Sequence, residues 1–157
     1  MIVVSDTSPV NYLLLIGCQE LLKNLFSKIA LPAAVLTELQ SEHAPAQIRE
    51  WLGRRPEWVE VRQVELPQDF LRDLGPGERE AIYLAKDLGA DELLMDDAKG
   101  RVAAEHVNLH VVGTIGILDA AALRGFVDLP AAVEKLKQTT FRAKPGLLDS
   151  LLKKHLG

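Results

Sequence analysis

Apolar positions along the chain fall into short, often β-branched runs alternating with longer stretches at helical spacing. Ile2, Val3 and Val4 form the first run, which reads as a buried strand. It ends on Asp6, followed by Thr7, Ser8 and Pro9. Residues 10–26 predict a helix interrupted near Gly17. Residues 28–31 predict a second strand, and Pro32 opens a helix at a position proline tolerates. That helix carries Val35, Leu36 and Leu39, with Glu38 among them. Residues 44–52 read as helix and 58–64 as a β segment. Residues 67–76 include a short helical piece and close in the turn Gly75-Pro76-Gly77. The clearest helix covers 78–88, stopped by Gly89. A strand over 92–96, a helix over 98–105, a strand over 109–112 and a tight turn over 113–116 follow. Helices over about 117–124, 130–138 and 145–155 complete the chain.

Strands alternating with helices of about ten residues predict βαβ units. The expected fold class is α/β, with a central, mainly parallel sheet between two helical layers. No repeat, low-complexity stretch or linker divides the chain, so residues 1–157 are expected to form one domain. Its C-terminal helices, about 129–156, pack on that domain or extend from it.

Composition narrows the function classes. With 48% hydrophobic and 25% charged residues, the chain has the balance of an ordinary soluble globular protein. No apolar run reaches bilayer-spanning length and no basic segment precedes the first strand, which predicts a cytoplasmic protein without membrane contact. Cys18 is the single cysteine, which excludes an internal disulfide and a cysteine-based zinc site; it reads as a small buried hydrophobe. The four histidines have no ligand spacing. A net charge of −4 gives no general attraction to nucleic acid, so any such contact needs a local basic patch. Lys135, Lys137, Arg142, Lys144, Lys153 and Lys154 crowd the last quarter, and Lys99 and Arg101 follow an aspartate pair. The solvated face of a terminal helix would place lysines in the same way.

The acids carry the candidate chemistry. Asp6 ends the first strand, where open α/β sheets place their ligands; it could equally cap the next helix. On the 78–88 helix, Glu78 falls on the apolar face with Ala81, Ile82 and Ala85, and Glu80 on the opposite side. A carboxylate in a first helical turn also answers the helix dipole. Glu38 leans toward the apolar side of its helix, beside Ala34 and Val35. Asp96 and Asp97 close the run Leu93-Leu94-Met95, and alternation lets one of the two face a shared site. These acids converge on one sheet edge. Like charges raise each other's pKa, so the group needs a cation, and an oxygen-only set suits Mg²⁺ or Mn²⁺. The chemistry this suggests is metal-assisted phosphodiester hydrolysis.

Four segments together resemble the PIN-domain nucleases. They are Val3-Val-Ser-Asp6-Thr-Ser-Pro9, the Pro32 strand-to-helix step ending in Thr37-Glu38-Leu39, Leu74-Gly-Pro-Gly-Glu78-Arg-Glu-Ala81-Ile82, and Leu93-Leu-Met-Asp96-Asp97. More narrowly, they look like the subgroup with a Gly-Glu-x-Glu-Ala-Ile motif, near the VapC-type toxins. The turn Val112-Gly-Thr114-Ile-Gly116 and the segment Thr140-Phe-Arg142 look similar to that subgroup too. The resemblance implies a PIN-like fold and a Mg²⁺- or Mn²⁺-dependent ribonuclease, commonly the toxin of a toxin–antitoxin pair and often a homodimer. Motif by motif, it implies catalytic and metal-binding roles for Asp6, Glu38, Glu78 and Asp97, with Asp96 as a neighbouring ligand. Ser8 matches a hydroxyl that supports the metal site. Lys99, Arg101, Lys135, Lys137, Arg142 and Lys144 are the cations available to RNA. Two departures stand out: the third acid is Glu where most of the wider family has Asp, and Met95 stands where Thr or Ser is frequent.

Two other readings compete. A haloacid-dehalogenase-type phosphatase also starts with a strand ending on Asp, but needs an acid where Ser8 stands and a Lys ahead of the late Asp pair. A catalytically weak PIN-like module that binds RNA or protein would not need the ion.

Overall fold

Five short strands, all paired in parallel, form the central sheet of the computed structural model, which describes residues 1–156. They are β1 (Val3–Ser5), β2 (Ile29–Pro32), β3 (Val59–Arg62), β4 (Glu92–Leu94) and β5 (Val111–Val112), in the order β3-β2-β1-β4-β5. The chain builds outward from β1 to β3, then returns to the other side of β1 for β4 and β5. The order therefore reverses between β1 and β4, and the carboxyl ends of those two strands flank the crevice where such sheets bind ligands. Asp6 and the Asp96–Asp97 pair are the residues that leave those two ends.

Both faces of the sheet are covered, so the inner strands β1 and β2 are buried at every position, whereas the edge strand β3 alternates as Val59-Glu60-Val61-Arg62. On one face α1 (Thr7–Leu15), α2 (Glu20–Phe26), α3 (Ala33–Leu39), α4 (Ala46–Gly53), α7 (Thr114–Leu123) and α8 (Leu129–Lys137) pack around Leu13, Leu22, Val35, Leu118 and Leu136. On the other, α5 (Pro76–Leu88) and α6 (Ala98–His106) pack Ala81, Ile82 and Ala104 against Val4, Leu93 and Met95. The result is a three-layer α/β/α architecture. The last helix, α9 (Leu147–Leu156), buries Leu151 against the first core, and its Lys154 and His155 bond the Asp119 carboxylate of α7. Among the described residues, no helix is long and apolar enough to cross a membrane.

Several boundaries differ from the sequence expectation, each for a local reason. α1 starts at Thr7, because Asp6 already has the extended N-cap conformation (φ −78°, ψ 178°). Its predicted interruption falls at Gly17, at φ 73°. Pro32 closes β2 and caps α3 without entering the helix. Residues 67–74 form turns, not a helical piece, with Leu71 at φ 47°. β4 ends at Leu94, and β5 is only two residues long. Residues 113–116 are not a tight turn: Gly113 is the N-cap and Thr114 the first residue of α7. A distant carboxylate, that of Asp96, stabilises this helix start.

Candidate active site

β1 delivers Asp6 to the carboxyl edge of the sheet. Its amide donates to the Leu94 carbonyl at 2.8 Å, which extends the β1–β4 pairing one residue past the strand. Asp6 is 4% exposed, and although it stands at the N-cap of α1 its side chain makes no capping hydrogen bond. Burial, and then the carboxylates of Glu78, Glu38 and Asp96, push its carboxyl up to about 7; the Thr7 amide acts the other way.

Glu38 and Glu78 act on Asp6 from two helices, and Asp97 acts on Glu78 from a third. Glu38, on α3, accepts a hydrogen bond from the Thr7 hydroxyl. Its carboxylate lies against Gly77 at the start of α5, where an added Cβ would meet both Glu38 oxygens at 2.8 Å. A side chain there would make the Glu38 carboxylate shift. Glu38 is nevertheless exposed, so the inward placement expected from its helical neighbours is corrected: α3 presents it along the crevice rim. Glu78 reaches back to the Gly75 amide at 3.0 Å and so fixes the first turn of α5. Burial, with Asp97 and Glu38 nearby, raises its pKa despite that bond. Asp97 is the N-cap of α6 and accepts from the Gly100 amide at 2.8 Å.

Asp96 is placed differently. Its two oxygens accept from the Thr114 amide and the Thr114 hydroxyl, both at 2.7 Å. Burial raises its pKa, while the two Thr114 donors and the Arg101 guanidinium offset part of that effect. Gly113 lets this pair approach, since a Cβ there would come 2.8 Å from Asp96 Oδ1.

A family model described as a PIN domain matches residues 2–156. The chain belongs to the PIN-domain family. No curated protein and no solved structure matches it significantly. PIN domains are in general nucleases, hydrolases that bind nucleic acid and usually use divalent metals.

The residues of this PIN domain suit such an ion in donor chemistry. All are carboxylates; Glu78, Glu38 and Asp96 help to raise Asp6, and Asp97 and Glu38 help to raise Glu78, a repulsion that a hard divalent cation removes. Among the described residues, no three acids already stand together as a ready-made metal group.

The basic residues separate into distinct places. Arg101, Arg142 and Lys144 line one groove beside Asp96. Lys99 lies along a different cleft, with Leu71 and Val102. Lys137 pairs with Asp149 of α9 at 3.1 Å, and Lys135 lies near enough to Cys18 to act on its thiol. Ser8, half-buried in α1, makes no side-chain hydrogen bond among the described residues; the hydroxyl that touches an acid is that of Thr7.

Four contributors were not singled out from the sequence. Thr7, Gly77 and Thr114 fix carboxylates, and Glu80 accepts from the Ala34 amide at 3.0 Å, tying α5 to the start of α3. Glu80 therefore meets a neighbouring helix, where the helical wheel alone places it away from the core. Each is a contact between remote segments, which spacing along one helix does not reveal.

Proposed function

We propose that this PIN domain is a Mg²⁺- or Mn²⁺-dependent endoribonuclease, with residues 1–157 acting as one unit. One observation carries the reading. A buried Asp6 carboxyl, raised to about 7, has the Glu78, Glu38 and Asp96 carboxylates around it at the switch point of a parallel sheet. A fold serving stability alone has no use for that repulsion, whereas a cation site does.

Asp6, Glu38, Glu78 and Asp97 are the residues that would hold the ion. Glu38, Glu78 and Asp97 each commit one oxygen to a fixing donor (Thr7, Gly75 and Gly100 respectively), which leaves the second oxygen for ligation. Asp96 has both oxygens engaged and acts as a positioning residue. When bound, a divalent ion supplies a polarised water and neutralises charge on the scissile phosphate. The chain's part is to hold the carboxylates at fixed places before substrate arrives. Among the described residues no histidine is hydrogen-bonded to these acids, His110 and His155 pairing with Glu92 and Asp119 instead, which favours hydrolysis leaving a 5′-phosphate and a 3′-hydroxyl.

The Gly77-Glu78-Arg79-Glu80-Ala81-Ile82 stretch supports the narrower placement near VapC-type toxins. On that placement the protein is cytoplasmic, forms a homodimer and is restrained by an antitoxin. A second reading, a PIN-like module that only binds RNA or protein, is favoured by the lack of a preassembled three-acid group among the described residues.

Product analysis on 5′-labelled single-stranded RNA separates the two. Cleavage that requires Mg²⁺ or Mn²⁺, with 3′-hydroxyl ends, supports the nuclease. Products ending in a 2′,3′-cyclic phosphate, or cleavage persisting in EDTA, contradict the mechanism.

A further inference from the structure

The two helices that carry Glu38 and Glu78 touch each other through glutamates. Glu38 of α3 lies against Gly77, the second residue of α5. Glu80 of α5 accepts a hydrogen bond from the amide of Ala34, the second residue of α3, at 3.0 Å. Each helix therefore sets a carboxylate against the first turn of the other. Only one of the two glutamates belongs to the group of acids around Asp6. The carboxylates acting on Asp6 are those of Glu78, Glu38 and Asp96, and those acting on Glu78 are Asp97 and Glu38; Glu80 is in neither set.

The start of α3 depends on that outside contact. The helix is seven residues long, and one of fewer than about 12 residues is marginal unless tertiary contacts hold it. Its N-cap is Pro32, whose side chain has no oxygen to accept from the first turn, and that turn carries no acid of its own. Glu80 supplies the missing acceptor from another helix, to the amide that a Ser or Asn cap would serve. Val35 and Leu39 are buried and hold α3 down on the core. The Ala34 bond fixes where the helix starts along α5, and with it where Glu38 stands one turn later.

We propose that Glu80 is a positioning residue for the ion site: its bond to the Ala34 amide fixes α3 against α5 and so sets the Glu38 carboxylate relative to Glu78. The inference rests on the metal-dependent reading above and gives a role to an acid that reading leaves unused. A hard ion such as Mg²⁺ takes its oxygens at about 2.1 Å, so a small displacement of one helix removes a ligand. Within Gly77-Glu78-Arg79-Glu80 the two acids divide the work. Glu78 turns back to the Gly75 amide at the start of its own helix, and Glu80 reaches across to the start of α3.

The test is Mn²⁺ affinity of the full chain, read without substrate from the free-Mn²⁺ signal in electron paramagnetic resonance, well below the melting temperature of each variant. Glu80→Ala is expected to weaken Mn²⁺ binding about tenfold or more, the scale for residues that orient metal ligands. Glu80→Asp keeps the charge but is one methylene shorter and falls out of hydrogen-bond reach, so it should weaken binding nearly as much. It also reads the proposal should Glu80→Ala fail to fold. Glu80→Gln loses the charge but keeps the accepting oxygen, and should stay within about threefold of wild type, the scale of one charge at a helix start. Because Glu80 acts through Glu38, adding Glu80→Ala to Glu38→Gln should cost less than about twofold more.

Three results would each overturn the proposal. Glu80→Gln binding as weakly as Glu80→Ala would make the charge, and not the hydrogen bond, the agent. Glu80→Ala and Glu80→Asp binding Mn²⁺ like wild type would leave the bond merely structural, whatever their melting temperatures. An undiminished loss on top of Glu38→Gln would show that Glu80 does not act through Glu38. Wild type without saturable Mn²⁺ binding removes the metal-dependent reading itself and this role with it, whereas wild-type binding together with any of the three results removes the role alone.

Discussion

The ends of β1 and β4 lie side by side and each delivers a half-buried or buried aspartate, yet the two are in opposite chemical situations. Asp6 has no capping bond and faces like charges; Asp96 has both oxygens satisfied by Thr114 and a guanidinium nearby. Burial is the largest cause raising both carboxyl groups. What separates them is the compensation. At β4 the protein supplies donors, so the charge is stabilised internally and fastens α7 to the sheet. At β1 it supplies further acids, so the charge needs an external partner. A buried carboxylate is thus a poor guide to function until its donors are counted.

Activity should break the comparison most sharply. Asp6→Asn is expected to reduce metal-dependent RNA cleavage by more than about 100-fold, the upper range for disturbing a metal site's supporting residues. Asp96→Asn, which can still accept from the Thr114 amide, should cost much less. Steady-state cleavage of one RNA by both variants checks this.

Stability should move in opposite directions. Asp96→Ala leaves the buried Thr114 hydroxyl and amide without their acceptor and is expected to cost about 2–4 kcal/mol in urea unfolding, with or without metal. Asp6→Asn should raise metal-free stability by about 1–3 kcal/mol at pH 8. The sign follows from the proton. Folded Asp6 keeps it up to about pH 7, and the unfolded chain loses it near 3.8, so wild-type stability falls as pH rises between those values. The advantage of Asn should accordingly grow across that window and vanish below it.

The smallest effect should come from Gly77→Ala. Alanine gains about 1 kcal/mol of helix propensity over glycine, but its Cβ would press on the Glu38 carboxylate. Net stability should change by less than about 1 kcal/mol while the response to Mn²⁺ weakens. Paired melting curves in EDTA and Mn²⁺ read both.

The sheet was legible in the sequence because its strands are short and its inner ones, β1 and β2, are buried throughout, bounded by Pro32 and the acids. Helix starts were less so. α7 begins at Thr114 because a carboxylate 18 residues earlier caps it, a contact no local spacing encodes. The same holds for the acids. Asp6 stands out as a strand-end residue, but whether it caps a helix depends on which hydrogen bonds form. Glu38 reads as inward from Ala34 and Val35, yet its exposure follows from the crevice left open beside Gly77. The division of the lysines and arginines between a groove rim and salt bridges is likewise tertiary: Lys137 is taken up by Asp149, whereas Arg142 is not.

The contrast between the two strand ends is tested most directly by the melting temperature at pH 8 as MnCl₂ is titrated into wild type, Asp6→Asn and Asp96→Asn. A ligand that binds only the folded state raises stability by RT ln(1 + [L]/Kd), about 2.7 kcal/mol at 100 times Kd. Wild type and Asp96→Asn are expected to show a saturable rise of several degrees, and Asp6→Asn to start higher and stay flat. An Asp6→Asn curve that rises like wild type, or an Asp96→Asn curve that alone goes flat, would put the ion at β4 and contradict the assignment of Asp6.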